Sequence, residues 1–412
     1  MPGDVGRALD ACHRGTLTYQ TLVREAEGKE RWPMDLSFSG AESALRDEAR
    51  AWLRAHVPAE PLPSLETGEG FAAHRAWEAE LAADDWSVVN WPAEYGGRDA
   101  SLVGWLLFEE EYYAAGAPGR VSQNGIHLLA PTLFDFGTAE QRARVLPPMA
   151  RGEVVWAQAW SEPEAGSDLA SLRSRAVRTE GGWLLSGQKT WSSRAAFADR
   201  AFGLFRSDMD AEAPHQGLTY LMFDLRAPGV TVRPIRRMDG RPAFAELFLD
   251  EVFVPDEDVI GEPGRGWRIA MSTAGNERGL MLRSPGRFLA AADRLAALWR
   301  ARGSPQWAQD RVADALIGAR AYQLFTFAAA SRFLDGERIG PESSLNKVFW
   351  SEYDIALHET ALDLLGEEGE LADTEWAERY VFSLAGPIYA GTNEIQRDII
   401  AERLLGLPKG RR

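Results

Sequence analysis

Glu277 is an acidic residue at a position that suits proton-transfer chemistry. Trp267, Ala270, Ala274 and Met281 recur at helical spacing and form an apolar stripe. At roughly 100° per residue, Glu277 lies about 50° from the centre of that stripe. A carboxylate at the edge of a buried face is costly unless it is paired or used. Burial also raises its pKa, which suits a general base. The alternative is a partly exposed glutamate beside the arginine that follows it.

Residues 157–168, with the sequence AQAWSEPEAGSD, are the second segment whose residue types suit chemistry. Small and turn-forming residues, among them Gly166 and Ser167, let backbone amides approach an anionic or carbonyl-rich ligand closely. The alternative is a polar loop that precedes a strand-rich region. Residue types alone leave both interpretations open.

The elements that must position these residues follow one another as helices, strands and helices. Leu45, Ala49 and Leu53 recur at helical spacing. From about residue 174 to residue 258, apolar and polar residues alternate, and Gly181-Gly182 indicates a hairpin. We therefore predict an α+β protein. It has an extension over residues 1–33, an N-terminal α-helical domain over 34–154, a central β domain over 155–259 and a C-terminal α-helical domain over 260–412.

Capping signals predict where two of the helices begin. Thr138 is followed three residues later by Gln141, which is the spacing of a capping box. Thr392 or Asn393 is a good N-cap for a helix close to the C terminus. Gly406 and the proline that follows it end the helical pattern.

Composition excludes several classes of function. The 412 residues carry a formal net charge of −16, whereas nucleic-acid binding requires a basic surface. The single cysteine, Cys12, excludes intramolecular disulfides, and the six histidines lack metal-binding spacing, so we expect no metal site. Apolar runs are too short for a membrane span, and the first 30 residues lack the apolar core of a signal peptide. We therefore expect a cytoplasmic enzyme.

Four further segments accompany residues 157–168 in a recognisable order. They are residues 90–97, 187–193, 264–267 and 391–397. Together these segments resemble acyl-CoA dehydrogenases over roughly residues 35–410. The resemblance implies a helical N-terminal domain, a central β domain and a C-terminal four-helix-bundle domain, with FAD between the last two. It also implies an oligomer in which a neighbouring subunit completes the FAD site.

The resemblance assigns individual residues to the cofactor and the substrate. Trp191 is similar to the aromatic residue that packs on the isoalloxazine, for which a flat apolar wall is suited. The implied FAD-binding residues are Gln158, Trp160, Ser161, Gly166, Ser167, Trp191, Ser193, Gly366, Thr392 and Glu394. The implied substrate contacts are Ser167, Arg278 and Ala390, of which Ala390 would offer its backbone N–H to the thioester oxygen.

The catalytic base is the point at which the sequence departs from many family members. Their glutamate immediately before the Gly-Thr of the C-terminal motif is Ala390 here, which cannot accept a proton. Other members carry the glutamate on the first helix of the C-terminal domain in a Glu-Arg context, which resembles Asn276-Glu277-Arg278. We therefore expect Glu277 to remove the C2 proton of an acyl-CoA or acyl-carrier-protein thioester while C3 delivers hydride to the flavin. Electron-transfer flavoprotein is the expected acceptor.

Two departures concern the FAD site. The family's Arg-x-x-Phe-Gly segment lacks its Phe-Gly near Ala301, and the Gln-x-x-Gly-Gly segment reads Asp363 to Glu367. Acidic residues are poor neighbours for a pyrophosphate. Similar losses are typical of members that pair with a non-identical subunit. Homo- and hetero-oligomers therefore remain open, as do a non-catalytic partner subunit and a flavin oxidase or monooxygenase on the same fold.

Overall fold

A computed structural model describes residues 37–278, 284–334, 340–371 and 374–409, without the side chains of residues 276–278. The predicted extension over residues 1–33 lies outside the described residues. The α-helices before the strands are α1 Gly40–His56, α2 Gly68–Ala83, α3 Leu102–Ala114, α4 Ala130–Phe136 and α5 Ala139–Ala150. After the strands come α6 Gly266–Arg278, α7 Pro285–Ala301, α8 Gln309–Leu334, α9 Ser343–Leu365, α10 Glu375–Ser383 and α11 Asn393–Ile399.

The strands form one mixed sheet. Their bounds are β1 Trp156–Ala159, β2 Arg175–Thr179, β3 Gly182–Ser193, β4 Arg200–Arg206, β5 Leu218–Asp224, β6 Val230–Ile235, β7 Phe244–Pro255 and β8 Val259–Ile260. The order across the sheet is β6-β7-β3-β2-β4-β5-β8, and β1 pairs with β4 in parallel. The predicted hairpin joins β2 to β3, and Gly181 there has a φ of 71°. That left-handed conformation explains a glycine at this turn.

The capping box predicted at Thr138 is confirmed at the start of α5. The Thr138 hydroxyl accepts a hydrogen bond from the Gln141 amide at 3.2 Å, and the Gln141 side-chain oxygen accepts one from the Thr138 amide at 3.0 Å. Such a cap contributes about 1 kcal/mol to helix stability. The Gln141 amide group also donates to the Val259 carbonyl at 2.7 Å. The helix start is therefore attached directly to strand β8.

The C-terminal helices enclose a separate apolar core. Phe288 and Leu295 of α7, Tyr322 of α8, and Trp350 and Leu357 of α9 are buried together. The two residues named on α7, and the two named on α9, are seven positions apart, which is about two helical turns and places them on one face. The succession of helices, sheet and helices confirms the predicted α+β class. Within the described residues, no helix is both long enough and apolar enough to cross a membrane.

Candidate active site

Trp191 is a large aromatic side chain left open to solvent on the sheet. Its exposed fraction is 60%, and its φ is 59°. The pairing of β3 with β7 shifts register between Lys189 and Ser192, so Trp191 lies in a bulge. Its ring contacts that of Phe244 edge to face at 6.0 Å. A bulky residue in the left-handed region is strained, and such strain is concentrated at ligand sites.

The loop after β1 lies next to this bulge. The Ser161 carbonyl accepts a hydrogen bond from the Thr190 amide at 2.8 Å. Trp160 is buried, and its indole N–H has no hydrogen-bond partner among the described residues. A ligand that supplies an acceptor would satisfy this donor. Ser193 ends β3 opposite Phe244, so Trp160, Ser161, Trp191 and Ser193 are brought together.

The other residues predicted in and beside this loop are more exposed to solvent. Gly166 and Ser167 are exposed, and a Cβ added at Gly166 would meet nothing within 4 Å. The space beside Gly166 is therefore free for a ligand, and packing within the chain does not require a glycine there. Gln158 is half-buried on β1, in register with Phe202.

Lys189 and Glu162 are residues that sequence patterns did not single out. They form an ion pair of 2.8 Å, and both are buried. Burial lowers the pKa of Lys189 to about 8, against the opposing effect of Glu162. Residues 186–190 read Ser-Gly-Gln-Lys-Thr without apolar alternation, so the sequence does not mark Lys189 as a buried residue. The partner could not be inferred, because it lies 27 residues away in another element.

A second group of predicted residues precedes α11. Thr392 is the N-cap of that helix and accepts a hydrogen bond from the Ile395 amide at 3.3 Å, as predicted. Ala390 has a φ of 57°. The Gln396 side-chain amide donates to the carbonyls of Ala390 and Gly391, each at 3.2 Å. These bonds hold a strained alanine where the family's glutamate would stand.

Two buried contacts from α9 anchor this segment. The Lys347 ammonium donates to the Asn393 side-chain oxygen at 2.7 Å, and the Ser351 hydroxyl donates to the same oxygen at 3.1 Å. Lys347 is fully buried. It is the second buried lysine that sequence reasoning missed.

Glu394 and Gly366 occupy exposed positions. Hydrogen bonds from its own backbone amide and from the Thr392 hydroxyl lower the pKa of Glu394, so it is anionic at neutral pH. Gly366 ends α9 with a φ of 59°. At 1.5 Å per residue, it lies about 22 Å along the helix axis from Ser351, so it is apart from the Thr392 segment. Asp363, on the preceding turn, pairs with Arg311 at 2.7 Å.

Glu277 and Arg278 have side chains that lie outside the described residues, as does Met281. The α6 backbone reaches Arg278, and Ala270 and Thr273 are fully buried on it. The Thr273 hydroxyl lies 2.7 Å from that of Thr132. Position 277 is one turn beyond Thr273 on this helix. Trp267 and Ala274 pack against the core, as the predicted stripe requires.

The residues around Trp191 fit a flat, polar-edged ring such as isoalloxazine. Trp191 offers an exposed apolar face, the Trp160 N–H finds no acceptor within the described residues, and a Cβ at position 166 would meet no neighbour within 4 Å. A stacked ring would cover the exposed indole. In the described part of the chain, histidine, cysteine and carboxylate side chains form no cluster that could hold a metal ion.

Family models describe most of the chain. The acyl-CoA dehydrogenase N-terminal domain matches residues 39–153, the middle domain residues 157–252, and the C-terminal domain residues 264–405. Acyl-CoA dehydrogenase IpdE1 of Mycobacterium tuberculosis is 36% identical over 381 residues, covering 89% of this chain and 97% of that protein. Acyl-CoA dehydrogenase FadE34 of the same organism is 39% identical over 338 residues, which are 81% of this chain and 46% of FadE34.

Solved structures have the same fold. The Tcur3481–Tcur3483 steroid ACAD superimposes with a TM-score of 0.81 at 28% identity, over 92% of this chain and 100% of the other. The ChsE4–ChsE5 complex from Mycobacterium tuberculosis superimposes with a TM-score of 0.80 at 28% identity over the same shares. The sequence matches and the three-domain fold agree, and the chain belongs to the acyl-CoA dehydrogenase family of oxidoreductases.

Proposed function

We propose that the chain catalyses FAD-dependent α,β-desaturation of an acyl-CoA thioester. The observation that carries the proposal is the exposed, strained Trp191 beside the Trp160–Ser161 loop, in a chain of this family. FAD, when bound, supplies a two-electron acceptor. On the sheet side it would be held by Gln158, Trp160, Ser161, Gly166, Ser167, Trp191 and Ser193. On the C-terminal side it would be held by Thr392 and Glu394, and Gly366, which lies apart from them, would contribute to the FAD site of a neighbouring subunit.

Glu277 is the proposed base. Ala390 has no ionisable side chain, and the described part of α6 buries Ala270 and Thr273 completely on the turns before position 277. A carboxylate in a dry site has a raised pKa, which brings it towards the range needed to accept a weakly acidic C2 proton near neutrality. The proton would pass from C2 to a carboxylate oxygen of Glu277.

The thioester is proposed to lie between Glu277 and the Ala390 segment. A backbone N–H needs no side chain to stabilise the oxygen on which negative charge develops. Ala390 is suited to this role because Gln396 hydrogen-bonds to the carbonyls of Ala390 and Gly391, which fixes the two peptide groups that follow the Ala390 N–H. Arg278 and Ser167 are the proposed contacts to the rest of the thioester.

A steroid-derived or similarly ring-bearing acyl group is the proposed substrate class. Its support is the likeness to the Tcur3481–Tcur3483 steroid ACAD over the whole of that chain. Anaerobic bleaching of the flavin with straight-chain, branched and ring-bearing acyl-CoA thioesters tests this choice. Faster bleaching by ring-bearing thioesters is expected, whereas equal or faster bleaching by straight chains would contradict it.

A non-identical subunit is proposed to complete the FAD site, and electron-transfer flavoprotein is the proposed acceptor. The family's Phe-Gly is missing after Ala301, Asp363 and Glu367 stand where neutral residues are usual, and two similar structures are named as pairs of different chains. The chain expressed alone should then carry less than one FAD per subunit after gel filtration. One FAD per chain in a homo-oligomer would contradict the pairing. Peroxide formation with air as sole acceptor would instead favour an oxidase.

A further inference from the structure

Lys189 places a positive charge in the interior of the sheet. Its exposed fraction is 0%, and its ammonium group donates to the Glu162 carboxylate at 2.8 Å, the Leu204 carbonyl at 2.8 Å and the Trp160 carbonyl at 3.3 Å. An ammonium group has three N–H donors, and each finds an acceptor. The charge is therefore fully hydrogen-bonded within the protein.

The Glu162 carboxylate is hydrogen-bonded by backbone amides as well as by Lys189. Its carboxylate accepts hydrogen bonds from the backbone amides of Arg173 at 2.6 Å and Ser174 at 2.9 Å. These bonds attach the loop after β1 to the segment that enters β2. A buried ion pair of this kind is seldom more stabilising than apolar residues of the same size. A gain in stability therefore does not explain this ion pair, and its location suggests another role.

The pair lies between the two parts of the chain that carry the proposed flavin contacts. Lys189 is the residue before the register shift that contains Trp191. Its third acceptor is the carbonyl of Trp160, and the next residue, Thr190, donates from its amide to the Ser161 carbonyl at 2.8 Å. The Lys189 ammonium group and the Thr190 amide thus join the Trp160–Ser161 loop to the Trp191 bulge.

We propose that Lys189 and Glu162 are positioning residues that fix the Trp160–Ser161 loop and the Trp191 bulge against each other for FAD binding. The inference rests on the proposed FAD site. Both side chains are buried, so they act through the backbone and do not contact the cofactor. Without the pair, the strained Trp191 conformation loses its nearest anchor, and the two faces of the site can shift independently.

Glu162→Gln removes the charge but keeps the shape, and Glu78→Gln is a matched control. Glu78 is also buried, lies 3.4 Å from a buried arginine, Arg120, and accepts hydrogen bonds from the backbone amides of Val121 and Ser122. Apoprotein of each variant, together with its partner subunit where wild type needs one, is titrated with FAD. The dissociation constant, the visible spectrum of bound flavin and the melting temperature are measured.

Both variants are expected to melt at a lower temperature, but only Glu162→Gln should bind FAD about tenfold or more weakly, with a shifted flavin spectrum. The double variant Lys189→Met with Glu162→Gln removes both charges and should regain stability without regaining affinity, because methionine cannot donate to the Trp160 carbonyl. Unchanged affinity and spectrum in Glu162→Gln, or affinity regained with stability in the double variant, would overturn the inference.

Failure of the proposed function can be distinguished from failure of this inference. Wild type that binds FAD but is not bleached by any acyl-CoA would refute the desaturation and leave the affinity comparison to decide the role of the pair. Wild type that binds no FAD, alone or with a partner subunit, would refute both.

Discussion

Glu109 should make the stability of the fold depend on pH in a way that a single substitution removes. It is buried on α3, and burial raises its pKa from 4.5 to about 7, against the opposing attraction of Arg120. The folded state therefore binds more protons than the unfolded state between these two values. Its contribution to stability is fully present below pH 4.5 and is lost as the pH rises through 7.

The size of the effect follows from the shift of the pKa. At about 1.4 kcal/mol per pKa unit, ionised Glu109 costs the folded state on the order of 3 kcal/mol above pH 7. Glu109→Gln removes the ionisation and keeps the shape. We expect the variant to match wild type within about 1 kcal/mol near pH 4.5 and to be more stable by up to about 3 kcal/mol at pH 8.

Urea unfolding at pH 4.5, 6, 7 and 8, followed by tryptophan fluorescence, measures this difference. Glu80→Gln, at an exposed position on α2, is the control. A stability difference between Glu109→Gln and wild type that is the same at every pH would refute the reasoning. So would a variant that is less stable than wild type at pH 8.

The remaining predictions concern the proposed site. Trp191→Phe should retain FAD more weakly and with a shifted spectrum, since it keeps an aromatic wall but loses area; lost reduction with normal FAD binding would contradict a packing role. Ala390→Glu should not speed flavin reduction much, because Glu277 already supplies the base and a second carboxylate raises one of the two pKa values; a large gain in stopped-flow rate would show that Glu277 is not the base. Ala390→Gly should raise the free energy of unfolding by about 1 kcal/mol, because glycine adopts a φ of 57° without strain; an unchanged urea midpoint would show that the alanine is not strained.

Local signals in the sequence were enough for the fold class and several boundaries. The capping box at Thr138, the hairpin at Gly181 and the N-cap at Thr392 each depend on a few neighbouring residues, and each is confirmed. The resemblance to acyl-CoA dehydrogenases rested on motifs, which are also local, and the comparisons confirm it.

Features that depend on pairing between distant segments were not predictable. The exposure of Trp191 follows from a register shift between β3 and β7, which alternation along one strand does not reveal. The Lys189–Glu162 pair requires the sheet topology, and the Asp363–Arg311 pair requires the packing of α8 against α9. The sequence presents Asp363 only as an unfavourable neighbour for a pyrophosphate, whereas Arg311 offsets part of its charge.

Anaerobic reduction of the Glu277→Gln variant in a single turnover tests the central proposal most directly. The amide is nearly isosteric, so fold, FAD content and thioester binding should be kept, and Glu262→Gln, at an exposed glutamate just before α6, should behave as wild type. Because general-base catalysis contributes about 10²–10⁴-fold, the Gln variant should lose most of the rate of flavin reduction, in the reductive step itself. A rate within a few-fold of wild type would contradict the assignment of Glu277 as the base.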